Sequence, residues 1–476
     1  MPAVAPDLAA SSQINAWDRT HAWHPFTQSA EAALYPPLQI ARGEGPWLFD
    51  LEGRRYLDGH SSLWTNVHGH HDPDLDDALR AQLDQVAHTT WLGLSHPPAA
   101  ALAAKLAQIS GLERVFFSDN GACAVEIALK LSRQFWQLTG QSEKREIAGF
   151  TGAYHGDTLG AMAVGDSAAF HGRFADWFLP AHHVPAPRCV ELAARVLEAE
   201  AVPSLRALED LLAARATHIA AVILEPSVQG AAGMVQQPPG FVTEVAALCR
   251  RYQVHLILDE VFVAFGRLGH LLVGKTEGVT PDFLCLAKGL AAGYLPLAAT
   301  LASEEIHAAF CAPFEEGRTF FHGHTFTANP LACAVALASI QKLDTLTASG
   351  TLARRVAAFG RVFAEIFAGH PQIAGARQRG FTAALDLVPA AASPSRYPPA
   401  ARVGLQVCLE GRRRGLLLRP LGDTLLLVPP PCCEEREFRF LCETTCAALE
   451  AALARPGGPP ARFADFAATY NPNPPA

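Results

Sequence analysis

The sequence predicts an α/β protein built on a mostly parallel sheet with helices on both faces. Two observations carry that expectation. Short, wholly apolar runs alternate with amphipathic stretches, the pattern of strands buried on both sides and the helices that cover them. Two of the runs also end in reactive side chains. Leu256-Ile257-Leu258-Asp259 ends in a carboxylate, and Phe283-Leu284-Cys285-Leu286-Ala287-Lys288 ends in a lysine. In open parallel sheets, ligands bind beyond the carboxyl ends of the strands.

Val115–Phe117 is the first strand expected, and Ala122–Gln137 has helical periodicity. Ala221–Leu224 is the next strand and Phe241–Tyr252 the next helix. The strands ending at Asp259 and Lys288 follow. A helix starts near Asn329-Pro330, where proline suits the first turn, and the helical pattern continues to about Phe367. Beyond it lie a strand at Phe381–Leu387, a proline-rich loop at Pro389–Pro399 and a helix near Ala401–Arg413. Strands at Leu416–Arg419 and Thr424–Val428 complete the series. The expected organisation is a flexible end 1–15, a segment 16–70 packing with a smaller domain, and a large domain 71–335. The smaller α/β domain is 336–454, and a flexible Pro/Gly-rich tail is 455–476.

Half of the 476 residues are hydrophobic and 18% are charged, which describes a globular chain. A net charge of −8 and the lack of a basic stripe interleaved with aromatics argue against nucleic-acid binding. Eleven scattered cysteines without a Cys-x-x-Cys read as reduced core thiols. The first residues lack a basic segment followed by an apolar one, and no apolar run is long enough to span a bilayer. A cytoplasmic enzyme without a membrane partner is therefore expected.

Lys288 is one of only six lysines. Burial at a strand end disfavours its ammonium, lowers its pKa and makes it a nucleophile. Together with a strand-end acid, Asp259, it supplies what a pyridoxal-phosphate enzyme needs: a Schiff-base lysine and a partner for the pyridine nitrogen. Ser118-Asp119-Asn120-Gly121-Ala122 joins a strand to a helix. Free N–H groups and the helix dipole there suit a phosphate, and Gly121 permits close approach; an ordinary capped helix reads the same way. Tyr154, in Gly152-Ala153-Tyr154-His155-Gly156-Asp157-Thr158, can stack on a flat ring or simply pack. Thr325, in Phe321-His322-Gly323-His324-Thr325-Phe326, offers a hydroxyl to a phosphate. These histidines and those of His68-Gly69-His70-His71-Asp72 invite a metal reading. Neither cluster has hydrolase spacing and no His-Glu-x-x-His occurs, so no metal is expected. Arg419 ends a strand, where a guanidinium pairs equally well with a substrate carboxylate or in a salt bridge. Glu225 ends another strand and fits either an orienting role or a turn.

Taken together, these segments resemble the class III aminotransferases, of pyridoxal-phosphate fold type I. The resemblance runs from about Trp23 to about Pro430. It includes the Tyr154 and Thr325 segments and Val67-His68-Gly69-His70. Three further segments are similar to the branch that aminates 8-amino-7-oxononanoate in biotin biosynthesis: Trp23-His24-Pro25-Phe26-Thr27-Gln28, Ser61-Ser62-Leu63-Trp64 and Arg419-Pro420-Leu421-Gly422. The resemblance implies a large domain with a seven-stranded, mostly parallel sheet, a smaller α/β domain, pyridoxal 5'-phosphate as cofactor, and a homodimer with shared active sites. It implies that Lys288 is the Schiff-base lysine and proton shuttle, and that Asp259 binds the pyridine nitrogen. Gly121 and Ala122 bind the phosphate, joined by His324 and Thr325 of a second copy. Tyr154 lies against cofactor and substrate, Arg419 takes the keto-acid carboxylate, Gly323 lines its site, and Phe26, Leu63 and Trp64 wall the pocket.

The implied donor is S-adenosylmethionine or lysine, because Leu63 and Phe26 replace a tryptophan and a tyrosine of well-known S-adenosylmethionine users. Ala122 stands where the family often has serine, and Val261–Gly269 departs from its usual run. Three other readings are a general ω-amino-acid:pyruvate aminotransferase, a non-catalytic interaction protein on the same fold, and a metal hydrolase using the histidine clusters.

Overall fold

The computed structural model describes residues 11–31, 34–187, 197–389, 396–454 and 463. Its centre is a seven-stranded sheet. The strand order is Arg114–Ser118, Ala298–Ala302, Phe283–Leu286, His255–Asp259, Ile219–Leu224, Glu146–Phe150 and Ala181–Val184. Only Ala298–Ala302 runs against its neighbours; the remaining pairings are parallel. All six residues of Ile219–Leu224 are buried, as expected of a strand with helices on both faces. The strands Glu146–Phe150, Ala181–Val184 and Ala298–Ala302 were not anticipated from the sequence.

The helix Gly121–Leu138 begins where Asn120 caps it, its side chain accepting from Cys123 N at 3.0 Å. Ala124, Ala128 and Leu131 on its inner face join a core with Ile223, Ile257 and Phe283 of the sheet. The helix Pro330–Ala348 starts at the expected proline, with Asn329 as its cap. The helical pattern continuing to Phe367 is two helices, not one. It breaks at Ser349-Gly350, where Gly350 takes a positive φ of 69°, and resumes as Thr351–Phe367. Pro330–Ala348 is long and apolar enough by composition to cross a membrane, contrary to the sequence expectation. Its apolar side chains Cys333, Val335, Ile340 and Leu343 are buried in the large core.

A second sheet is antiparallel: Ile373–Arg379, Thr382–Leu387, Thr424–Leu427 and Arg419–Leu421. The strand expected at Leu416–Arg419 divides between two sheets. Leu416–Leu417 pairs in parallel with Arg55–Asp58, next to Trp47–Asp50 and Ile40–Glu44, while Arg419 enters the antiparallel sheet. A helix Ser11–His21 lies partly inside the stretch expected to be a flexible end. Most of the expected tail 455–476 and of the loop Pro389–Pro399 lies outside the described residues. Phe463 of that tail is buried edge-on against Tyr35, their ring centres 5.4 Å apart.

Candidate active site

Loops at the carboxyl ends of five strands converge on one cavity of about 720 Å³, within the ordinary range for a small-molecule site. Phe26, Leu63, Trp64, Gly121, Ala122, Tyr154, Asp259, Lys288 and Arg419 all line it. Nine of the twelve residues singled out from the sequence therefore share a wall. Gly323, His324 and Thr325 do not line it within one chain; Phe321 and Phe326 beside them are exposed.

Lys288 is at its centre. Its backbone takes a φ of +42°, strained for a side-chain-bearing residue and of the kind that clusters at active sites. The Nζ stands 5.1 Å from the Trp64 ring centre and 5.6 Å from that of Phe262. Burial lowers its pKa, and the Asp259 and Glu225 carboxylates work in the opposite direction. Asp259 is buried and fixed at both oxygens. His155 Nδ1 lies 2.7 Å from Oδ2, and Val261 N donates to Oδ1 at 3.0 Å.

Glu225 lines the same cavity and orients its neighbours by accepting from Tyr154 N at 3.2 Å and Gly230 N at 2.9 Å. Burial pushes its carboxyl up to about 7; His155 opposes that rise and Asp259 adds to it. Tyr154 stacks on His171 at 5.5 Å, and its hydroxyl is made less acidic by burial and by Asp157. The loop carrying it is tied to the helix at Gly121–Leu138. Glu126 Oε1 accepts from Thr158 Oγ1 at 2.6 Å and from Gly160 N at 2.7 Å. Gly156 crosses Ala122 so closely that an added Cβ would lie 2.3 Å from the Ala122 Cβ.

Arg419 has no carboxylate partner among the described residues. Its guanidinium sits 5.3 Å from the Phe26 ring centre, and burial lowers its pKa, Tyr154 working against that. The salt-bridge alternative for this arginine therefore finds no support in the described residues.

Trp64 and Leu63 enter the wall by an unusual route. Ser61, Ser62, Leu63 and Trp64 have φ of 51°, 47°, 63° and 70°, one turn of left-handed helix without a glycine. The turn closes through Trp64 N to His60 O and Thr65 N to Ser61 O, both 2.9 Å. Each such residue costs roughly 1–2 kcal/mol against the right-handed form. Asp58, wholly buried, braces the turn. Burial works to raise its pKa, but hydrogen bonds from His60 and His70 prevail and hold it far below the carboxylate range.

The histidines weighed as metal ligands are engaged elsewhere. His70 Nε2 reaches Asp58 at 3.0 Å, His68 Nε2 reaches Ser339 Oγ at 3.1 Å, and His322 Nδ1 faces Lys130 Nζ at 2.9 Å. His324 Nδ1 is 3.6 Å from Asp119. The supporting roles of His155, Glu126 and Asp58 were missed. For His155 the available signal was its place directly after Tyr154; the other two carry no local pattern.

A buried lysine, a clamped acid facing the same cavity, an aromatic wall and a helix start define a site for an aldehyde cofactor bearing an aromatic ring and a phosphate. His155 Nε2, buried and lining the same cavity residue by residue with Asp259, finds no hydrogen-bond partner among the described residues, consistent with a polar environment completed by a guest. The chain belongs to the class-III aminotransferases: the family model, "Aminotransferase class-III", matches residues 28–451. It is 44% identical to an adenosylmethionine-8-amino-7-oxononanoate aminotransferase of Geobacter sulfurreducens, over 90% of this chain and 95% of that protein. Its fold is similar to the crystal structure of the protein of that name from Methanocaldococcus jannaschii. That match has a TM-score of 0.87 and 34% identity over 93% of this chain and 99% of the other. It is also similar to an amine transaminase from an uncultivated Pseudomonas species in its PLP-bound form, with a TM-score of 0.83 and 34% identity over 91% and 98% of the two chains. The chain is a pyridoxal-phosphate-dependent aminotransferase.

Proposed function

We propose that this enzyme transfers an amino group to 8-amino-7-oxononanoate, with S-adenosylmethionine or lysine as donor, in biotin biosynthesis. Arg419 carries the reading. It is a partly buried guanidinium without a carboxylate partner among the described residues, in the same cavity as Lys288. Phe26, Leu63, Trp64, Phe262 and Leu421 make the surrounding wall apolar. A long keto acid with a terminal carboxylate matches that combination, and the name of the Geobacter sulfurreducens relative supports it.

When bound, pyridoxal 5'-phosphate supplies an aldehyde for the amine and a ring that stores the electrons released from the donor carbon. Lys288 Nζ, made less basic by burial, takes the proton from that carbon and returns it on the acceptor. Asp259, held by His155, presents a carboxylate to the ring nitrogen. Gly121 and Ala122 offer the unpaired N–H groups of a helix start to the phosphate. Tyr154 covers the ring, and Phe26, Leu63 and Trp64 exclude water from the chain of the keto acid.

A second copy of the chain completes the phosphate end with His324 and Thr325 and brings Gly323 to the keto-acid site. The exposed Leu92, Phe314, Phe321 and Phe326 support such a dimer by leaving apolar surface to cover. The division at 16–70, 71–335 and 336–454 is supported by a core joining residues 352–452 to Leu57. All ten described cysteines are free, which suits the cytoplasm.

The test is a donor panel with 8-amino-7-oxononanoate as acceptor, comparing S-adenosylmethionine with lysine, and pyruvate as the competing acceptor. Amination of the keto acid by either donor supports the reading. Turnover of ω-amino acids with pyruvate alone overturns it.

A further inference from the structure

We infer that Asp58 and Arg267 are positioning residues, which hold Ser61–Trp64 as a left-handed turn and thereby fix the Trp64 wall of the cavity. Neither residue lines that cavity, so any effect they have on the site passes through the turn.

Four consecutive side-chain-bearing residues at positive φ do not hold that form by themselves. The turn's internal hydrogen bonds are those any helical turn would make. What favours the left-handed form lies outside it, in groups that hold Ser61 and Ser62. Asp58 Oδ1 accepts from Ser62 N at 2.9 Å, and Oδ2 accepts from Ser62 Oγ at 2.7 Å. His60 Nδ1, at 2.8 Å, and His70 Nε2, at 3.0 Å, grip the same carboxylate. On the other side, the buried Arg267 donates to Pro429 O and Asn66 O, both at 2.9 Å, and to Ser61 Oγ at 3.2 Å. Ser61 Oγ in turn donates to Val428 O at 2.6 Å. The turn is thus pinned to Val428 and Pro429, just past the strand Thr424–Leu427. The outcome is a buried indole packed 4.5 Å from the Phe262 ring and beside Lys288 Nζ. Gly230 has no room to spare here: an added Cβ would lie 2.8 Å from Phe262 and 3.2 Å from Trp64.

The inference rests on the keto-acid reading only for the choice of substrate. Asp58→Asn in the holoenzyme should raise the KM for 8-amino-7-oxononanoate about tenfold, with kcat changed less than about threefold. It should also alter the visible circular dichroism of the bound cofactor, which reports the asymmetry of the walls around it. Adding Ser62→Gly, which makes the left-handed form easy at an exposed position outside the cavity, should restore both readouts most of the way. No change in either readout, or a loss that Ser62→Gly does not repair, overturns the inference. A dichroism change repaired by Ser62→Gly with a flat KM supports the clamp and counts against the keto-acid reading instead. If Asp58→Asn does not yield folded protein, His60→Asn removes one arm of the same grip. It should raise the KM about threefold, with the same repair, and an unchanged dichroism and KM in it overturn the inference.

Discussion

His155 Nδ1 lies 2.7 Å from Asp259 Oδ2, and both side chains are buried. The acid proposed to face the cofactor ring is thus held by a neighbour from a different strand's loop, far away in sequence. His155→Ala leaves a buried carboxylate oxygen without its partner, a loss of about 1–3 kcal/mol. Steady-state kinetics should show kcat/KM falling roughly tenfold to a hundredfold, and the lost partner should also lower the fold's melting temperature by a few degrees.

In its proposed role Lys288 binds the cofactor covalently and moves the proton, and Lys288→Ala removes that group. The purified variant should lose the yellow colour of the lysine-bound cofactor and nearly all turnover, while circular dichroism in the far ultraviolet remains that of the parent.

Arg419→Ala should act on one substrate more than the other. A charged hydrogen-bond pair contributes about 1.5–3 kcal/mol. The KM for the keto acid should therefore rise about tenfold to a hundredfold, with the donor's KM moved far less. Equal rises for both would remove the carboxylate role.

Glu225 gives a pH dependence whose sign is fixed by its raised pKa. The fold favours the protonated carboxyl, so the stability this group contributes is fully present below the ordinary value of 4.5 and is lost as pH rises through about 7. Urea midpoints of the cofactor-free protein should fall across that window. Glu225→Gln cannot ionise and should flatten the fall. Glu260, also raised to about 7 by burial, retains part of the slope in that variant.

Much of the large sheet was legible because parallel strands buried on both faces are continuous apolar runs. Ile219–Leu224 and Phe283–Leu286 stand out for that reason. Ala298–Ala302 did not: Ala-Ala-Thr-Leu-Ala has no strong strand signal, and its pairing with Phe283–Leu286 and Arg114–Ser118 makes it one. Arg419 was legible as a strand-end cation, but not its lack of a carboxylate partner, which depends on what the rest of the chain brings near it. The break at Gly350 was hidden inside a helical pattern that continues on both sides.

The sequence by itself brought the candidate groups into view. Lys288, Asp259, Tyr154 and the helix start at Gly121 each stand in a short local run that suits such a role, because strand ends and helix starts are local events. The tertiary structure decided how those groups are held. His155 reaches Asp259, Glu225 reaches Tyr154, and Asp58 and Arg267 grip the Ser61–Trp64 turn through hydrogen bonds between distant segments. A left-handed turn of serine, leucine and tryptophan runs against local preference, so no local pattern could announce it. In the inference drawn above, the buried carboxylate and guanidinium that grip Ser61 and Ser62 make it the favoured form.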